Sequence, residues 1–244
     1  MLMTKGLFTA VINNITFVLI CMLLTAVMVA AAWYIEKIAK KKSGSTERTL
    51  TTRKVVMIGM FSAIAAVLQI VDFALPIAPS FYKFDFSEIP ALIGGFAFGP
   101  VAGVLIEFVK IVLKLLIKST STAFVGELAN FIVGCMMILP ASALYLFHKT
   151  RGRAAAGCIA GTVCMTVFGT VFNALYLLPA FSRLYGMPLE AIIGMGTAIN
   201  ASVTNIWNFV LLMVAPFNIL KGASVSIITM LVYKKISPLI KRGI

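Results

Sequence analysis

The chain has 244 residues, of which 61% are hydrophobic and 12% charged. A soluble globular protein carries about 25% charged residues, so this composition excludes a soluble domain and leaves an integral membrane protein. Lys and Arg outnumber Asp and Glu by 21 to 8, but the positives stand just outside apolar runs, in KIAKKKSGSTERTLTTRK, HKTRGR and KKISPLIKR, which reads as anchoring at the cytoplasmic face and, with no nucleic-acid-binding motif present, not as a nucleic-acid partner.

The first apolar run, from about residue 7 to 35 after Lys5, exceeds a signal-peptide core of about 7 to 15 residues. It predicts a retained spanning helix. A basic linker follows to Lys54, then a helix from Val55 to about Leu75, which stops at Pro76 and Pro79 because proline disfavours helical geometry in the residue before it. The stretch FYKFDFSEIP, Phe81 to Pro90, places Lys83, Asp85 and Glu88 among aromatics. A short apolar run, Ala91 to Phe98, breaks at Gly99-Pro100. Further helices are expected over Val101–Ile117, Leu128–Phe147 and Ala154 to about Leu178.

Residues 179–215 allow two readings, one more crossing, since Ile206 to Val214 is very apolar, or a long outer loop with short helices of its own, and the loop is favoured. The reason is Pro216, which suits the first position of a helix, where a missing amide is harmless; the last helix is expected from Pro216 to about Ile236. Seven Lys/Arg lie between Lys37 and Lys54, three between Lys149 and Arg153, and four between Lys234 and Arg242. With an outside N-terminus and seven crossings all three groups fall on the cytoplasmic side.

Glu107, Lys110, Lys114 and Lys118 form one stripe of one helix. An ionisable group at the bilayer centre costs at least about 2.5–3.5 kcal/mol, so this stripe faces the bundle interior or water. Glu127 and Asn130 open the next helix, Asn173 lies near the outer end of the one after, and Asn218 and Lys221 share a face of the last. These groups converge on the outer half of the bundle beneath FYKFDFSEIP, a polar pocket with an aromatic roof. Alternatives remain for individual residues: Lys114 and Lys118 as interfacial snorkels, and Glu107 with Lys110 as a structural pair.

Cys21, Cys135, Cys158 and Cys164 sit in apolar runs without metal-ligand spacing and read as packing residues. His148, the only histidine, stands in a basic loop with no acid or cysteine nearby, and no G-x-x-x-x-G-K-[ST] run is present. No catalytic residues, cofactor or metal are therefore assigned. Small residues four apart, Gly59 and Ala63 with Ser62 and Ala66 one step round, let another helix approach closely. Gly99 and Gly103 are a second such pair.

The runs KFDFSEIPALIGGFAFGPVAGVLIEFVK, STSTAFVGELANFIVG, FGTVFNALYLLP and PFNILKG, in that order between about Lys54 and Pro238, resemble the substrate-binding S components of energy-coupling-factor (ECF) vitamin transporters, and within them the riboflavin-specific branch. The resemblance implies an all-α six-helix membrane domain over 54–244, with residues 1–53 an added transmembrane helix and basic linker. It implies Tyr82, Lys83, Phe84 and Asp85 in a lid over the vitamin, with Asn130, Asn173, Asn218 and Lys221 hydrogen-bonding inside and Glu107, Lys110 and Glu127 completing the binding set. It further implies a coupling protein meeting Gly59, Ser62, Ala63 and Ala66, two ATPase subunits that bring the missing nucleotide site, and a place in the bacterial plasma membrane. A neutral polyol such as riboflavin suits asparagines, whereas a carboxylate or phosphate would favour arginine, of which Arg183 is the only one on the outer side. The competing readings are an S component for another vitamin, a membrane enzyme acting on lipid head groups through Glu107 or Glu127, and a proton-driven carrier using Glu107 and Lys110.

Overall fold

In the computed structural model of the chain, residues 15–44, 48–120, 122 and 124–241 are described. Residues 7–14 of the predicted first helix, residues 45–47 of the basic linker and Arg242 lie outside them. Helix α1 (Ile15–Ser43) ends in Lys40, Lys41 and Lys42, cations that suit the carbonyl end of a helix. Its buried stripe is Phe17, Cys21, Met28, Ala32 and Glu36, the recurrence expected of one helix face.

Helix α2 (Thr52–Ile70) starts where the Thr51 hydroxyl accepts the Lys54 N–H at 3.4 Å, an N-cap. It stops short of the predicted Leu75. Phe73–Ala74 (β1) instead pairs antiparallel with Lys83–Phe84 (β2), Phe73 opposite Phe84, so the chain leaves the helix earlier to form a small hairpin whose connection holds both prolines. Helices α3 (Glu88–Phe98) and α4 (Pro100–Ile117) follow as a broken pair. The break is Gly99, whose φ of 104° strains any other residue, and Pro100 then occupies the first helical position. With 11 residues, α3 rises only about 16 Å, half of a bilayer core.

Helices α5 (Val125–Phe147) and α6 (Arg151–Phe172) pack backbone to backbone. A Cβ on Gly157 would lie 2.6 Å from the Ala141 carbonyl oxygen, so only glycine allows this approach. Beyond Phe172 the helix widens into a π turn, Asn173–Leu177, and continues as α7 (Leu178–Tyr185). Helix α8 (Leu189–Thr197) lies in the outer connection.

The last segment corrects the sequence reading. Helix α9 (Ile206–Phe209), a π turn (Val210–Val214) and α10 (Ala215–Lys241) run on without a break. Residues 206–214 are thus the outer part of the last helix, not loop, and Pro216 lies inside it. The Ala215 N–H reaches the Val210 carbonyl, five residues back, and this wider turn absorbs the hydrogen bond that Pro216 cannot make. The same device precedes Pro179, where Leu178 donates to Asn173.

The bundle is all-α and membrane-spanning: α2, α3, α4, α5, α6–α7 and α9–α10 make six helical elements, and α1 lies against α4 and α5. Five helical segments, among the described residues, are long and apolar enough to cross a membrane: 15–43, 52–70, 125–147, 151–185 and 206–236. At its basic end α1 contributes Glu36, 4% exposed, whose Oε1 accepts the Val101 N–H at 3.0 Å. A carboxylate at the amino end of a helix satisfies an orphan donor and meets the positive end of the helix dipole. Glu36→Ala removes this cap and is expected to lower stability by about 0.5–2 kcal/mol, read as a lower unfolding temperature in detergent. An unchanged temperature would show that apolar contacts alone hold α1.

Candidate functional site

The bundle opens toward the outer side, opposite the three basic groups, into a cavity of about 380 Å³, within the range of small-molecule sites. Its walls come from the ends of several elements. Gln69 and Asp72 close α2, Lys114 and Lys118 close α4, and Glu127, Asn130 and Val133 open α5. Asn173 and Leu177 come from the π turn, Phe181 and Tyr185 from α7, and Phe217, Asn218 and Lys221 from α10. The loop supplies Phe81, Tyr82, Lys83 and Asp85.

Of the residues expected here from sequence, Tyr82, Lys83, Asp85, Glu127, Asn130, Asn173, Asn218 and Lys221 line this one space. Three do not. Phe84 turns into a cluster with Ala78 and Phe217, because its place in β2 opposite Phe73 points it away from the cavity. Glu107 and Lys110 are wholly buried one layer behind the wall. Gln69, Asp72, Glu88, Phe181 and Phe217 line the cavity without having been assigned. Gln69 carried a usable signal, a lone amide near the end of an apolar helix.

Each buried ammonium group meets at least one carboxyl. The Lys221 ammonium donates to Asp85 Oδ2 at 3.0 Å and meets Glu88 Oε1 at 3.0 Å. Lys110 pairs with Glu107 Oε2 at 2.6 Å, lies 3.7 Å from Glu88, and donates to Ser87 Oγ at 3.0 Å. Lys114 donates to Glu127 Oε1 at 2.6 Å, while the Thr120 and Thr122 hydroxyls donate to Oε2 at 3.0 and 2.9 Å. Glu127 is thereby saturated, and it ties Thr120 and Thr122 to the start of α5. Burial pushes the Asp85 carboxyl up, but Lys221, then Lys110 and the bonds from Ser87, outweigh it and hold the group below the ordinary carboxylate range.

The roof is tied to the walls as well. Tyr82 donates its hydroxyl to Asn173 Oδ1 at 2.6 Å, and Asn173 Nδ2 donates to the Gly169 carbonyl at 2.7 Å. Gln69 Nε2 donates to Asn130 Oδ1 at 3.1 Å. Tyr82 packs on Phe217 with ring centroids 5.8 Å apart, and Phe81 meets Phe181 edge-on at 5.7 Å, both in the favoured range for aromatic pairs. The lining Lys83, Lys114, Lys118 and Lys221 balance Asp72, Asp85, Glu88 and Glu127, so the cavity is formally neutral, rich in amides and walled by aromatics.

This fold and site define a membrane-embedded capture subunit, a class that binds its ligand near one face of the bilayer. The family model for the ECF transporter, substrate-specific component, matches residues 53–233, and the chain belongs to that family. It is 31% identical to the riboflavin transporter FmnP of Bacillus subtilis over 194 residues, 79% of this chain and 96% of that one. It is 34% identical to the riboflavin transporter RibU of Staphylococcus aureus over 191 residues, 78% of this chain and 93% of that one. A solved structure described as the S component of a bacterial ECF transporter superposes with a TM-score of 0.61 at 33% identity, covering 78% of this chain and 98% of its own. The protein is a multi-pass component of the bacterial cell membrane and a transporter subunit, so the readings as a lipid-modifying enzyme and as a proton-driven carrier fall away.

Lys221→Met leaves Asp85 without its ammonium partner and Glu88 with only Lys110 at 3.7 Å. Breaking a buried pair from one side is expected to cost about 3–5 kcal/mol, read as reduced thermal stability without ligand. Wild-type stability in this variant would mean that water reaches the two carboxylates.

Proposed function

We propose that the cavity binds riboflavin at the outer face and that this chain delivers the vitamin to a transmembrane coupling protein driven by two ATPase subunits. The observation that carries the reading is the formally neutral, aromatic and amide-lined cavity in a chain about a third identical to two riboflavin transporters. A flat isoalloxazine stacks on rings such as Phe81, Tyr82, Phe181 and Phe217, and its imide edge and ribityl hydroxyls find partners in Asn130, Asn218, Lys221 and Gln69. Compensated charge favours such an uncharged polyol over a carboxylate-bearing vitamin, which needs a surplus cation. Tyr82 and Lys83 close over the ligand, and Asp85 holds the roof to Lys221. Residues 54–244 form the vitamin-binding unit in this reading, and residues 1–53 are an added helix and linker.

The coupling face is the outward side of α2. Gly59 and Ala63 are exposed there beside Val56, Met60, Ile64 and Val67, and nothing lies within 4 Å of a Cβ built on Gly59. Ser62 and Ala66, expected on the same stripe, are buried inside the chain, with the Ser62 hydroxyl bonded to the Ile58 carbonyl at 2.7 Å. The contact is therefore drawn from Gly59 and Ala63 alone.

Titration of the purified protein with riboflavin is expected to quench flavin fluorescence with tight, saturable binding. Asn218→Ala is expected to weaken it by about 1–3 kcal/mol, roughly five- to a hundred-fold, through unpaired ligand hydroxyls. Capture of a different vitamin in its place would overturn the ligand and keep the cavity. Ala63→Trp is expected to impair assembly with the coupling protein and uptake while leaving vitamin affinity within about two-fold, because the open face of α2 is remote from the cavity. Normal assembly of that variant would remove α2 from the interface.

A further inference from the structure

In the cavity wall and the layer behind it stand three carboxyls, Asp85, Glu88 and Glu107, and two ammonium groups, Lys110 and Lys221, each 6% exposed or less. With every group ionised the set holds three negative charges against two positive, one net negative charge. An uncompensated charge in a membrane interior is strongly unfavourable. Lys83 of the roof, which completes the cavity's formal neutrality, is solvent-exposed and forms no ion pair with any of the five, and the elements around α4 add no further buried cation among the described residues. Among the described residues, the buried side chains of α2 are Ile58, Ser62, Ala65, Ala66 and Gln69. Helix α5 presents the Cys135 thiol beside Glu107, and its Glu127 is already matched by Lys114. Helix α1 brings Glu36, engaged at the Gly99–Pro100 break.

The oxygens separate the three carboxyls. Asp85 uses both, Oδ1 for the Ser87 N–H at 2.9 Å and Oδ2 for Lys221. Glu88 Oε1 faces both lysines, while its Oε2 has no hydrogen-bond partner among the described residues. Glu107 meets only Lys110, which it shares with Glu88 and Ser87, and its Oε1 is likewise without a partner. No group of three His, Cys, Asp or Glu among the described residues is placed to hold a metal ion.

We infer that Glu107 is a proton-binding site: it holds one proton at neutral pH, which makes the five-membered network electroneutral and keeps Lys221 free to hold Asp85 and Glu88 at the cavity wall. The proton leaves only at the expense of a bare negative charge behind the cavity. The proposal does not depend on which vitamin is bound, and both of its tests run on ligand-free protein.

Infrared spectroscopy of the detergent-solubilised full chain at neutral pH reads protonated carboxyl groups directly. Glu36→Gln is the background, since among the described residues Glu36 is the other buried carboxyl outside the network and outside the Lys114 pair. A protonated-carboxyl band is expected in E36Q and is expected to be lost in E36Q/E107Q. A band absent from E36Q, or one that survives E107Q, would overturn the assignment; the first needs no change at Glu107 and so stands even if E107Q fails to fold. Thermal unfolding supplies the second readout. Above the ordinary glutamate range, about pH 4.3, the unfolded chain has released a proton that the folded chain keeps, so wild-type stability falls as pH rises until the folded protein also releases it. Glu107→Gln is expected to flatten that slope. An unchanged slope in E107Q, or a stability gain with sodium or potassium that E107Q abolishes, would assign the missing charge elsewhere and overturn the proton.

Discussion

The fold turns on one constraint: an ammonium group buried among apolar helices is tolerable only when carboxylates meet it. Lys221 satisfies it by reaching across the bundle to Asp85 and Glu88 at 3.0 Å each. These partners are separated from it by more than a hundred residues, so the contact fixes the last helix, the start of α3 and the end of the roof loop relative to one another. Lys110 extends the same logic downward through Ser87 and Glu107. Since removing one member leaves a partner charged and dry, the network behaves as a unit, and the cavity inherits its shape from groups selected for mutual neutrality.

That neutrality also sorts the cavity residues by what they can do. Glu127 has both oxygens occupied by Lys114, Thr120 and Thr122, and Asn173 is engaged by Tyr82 and by its own helix. Such residues build the wall more than they recognise a ligand. Asn218 is different: it is 7% exposed, projects beside Gly169, and follows a π turn. Its free hydrogen-bonding capacity belongs to the cavity, as does that of Gln69, whose Oε1 is buried without a partner. Two π turns flank the site, each ending two residues before a proline, and each lets a helix carry polar side chains inward where a regular helix would have broken.

Much of this was legible because charge in an apolar helix is informative. Glu107, Lys110 and Lys114 announce an inward stripe, and Asn218 with Lys221 a polar face, from spacing alone. What the sequence concealed has physical causes. Pro216 carries the same letter whether it starts a helix or sits behind a widened turn, so the outer part of the last helix read as loop. Phe84 was expected at the ligand because it is aromatic and central in FYKFDFSEIP, but a two-residue ladder sets its direction and sends it to Phe73 and Phe217. Gly59, Ser62, Ala63 and Ala66 looked like one surface. A helix turns about 100° per residue, and the one-residue offset places Ser62 and Ala66 inside and Gly59 and Ala63 outside. The close helix approach at Gly157 and Gly161 against α5 carries the same small-residue spacing, which marks a packing face without naming the helix that fills it.

The position of α1 follows from the remaining geometry. It lies against α4 and α5, away from the open face of α2, and its Glu36 reaches the cytoplasmic break between α3 and α4, the end opposite the cavity. The family model begins at residue 53, and none of the described residues of α1 lines the cavity. On the α4–α5 side, α1 covers neither the cavity opening nor the exposed face of α2. There it converts an exposed helix amino terminus into a capped one. Its influence on the cavity is thus confined to the stiffness of α4, the helix that carries Glu107, Lys110 and Lys114 beneath the outer site.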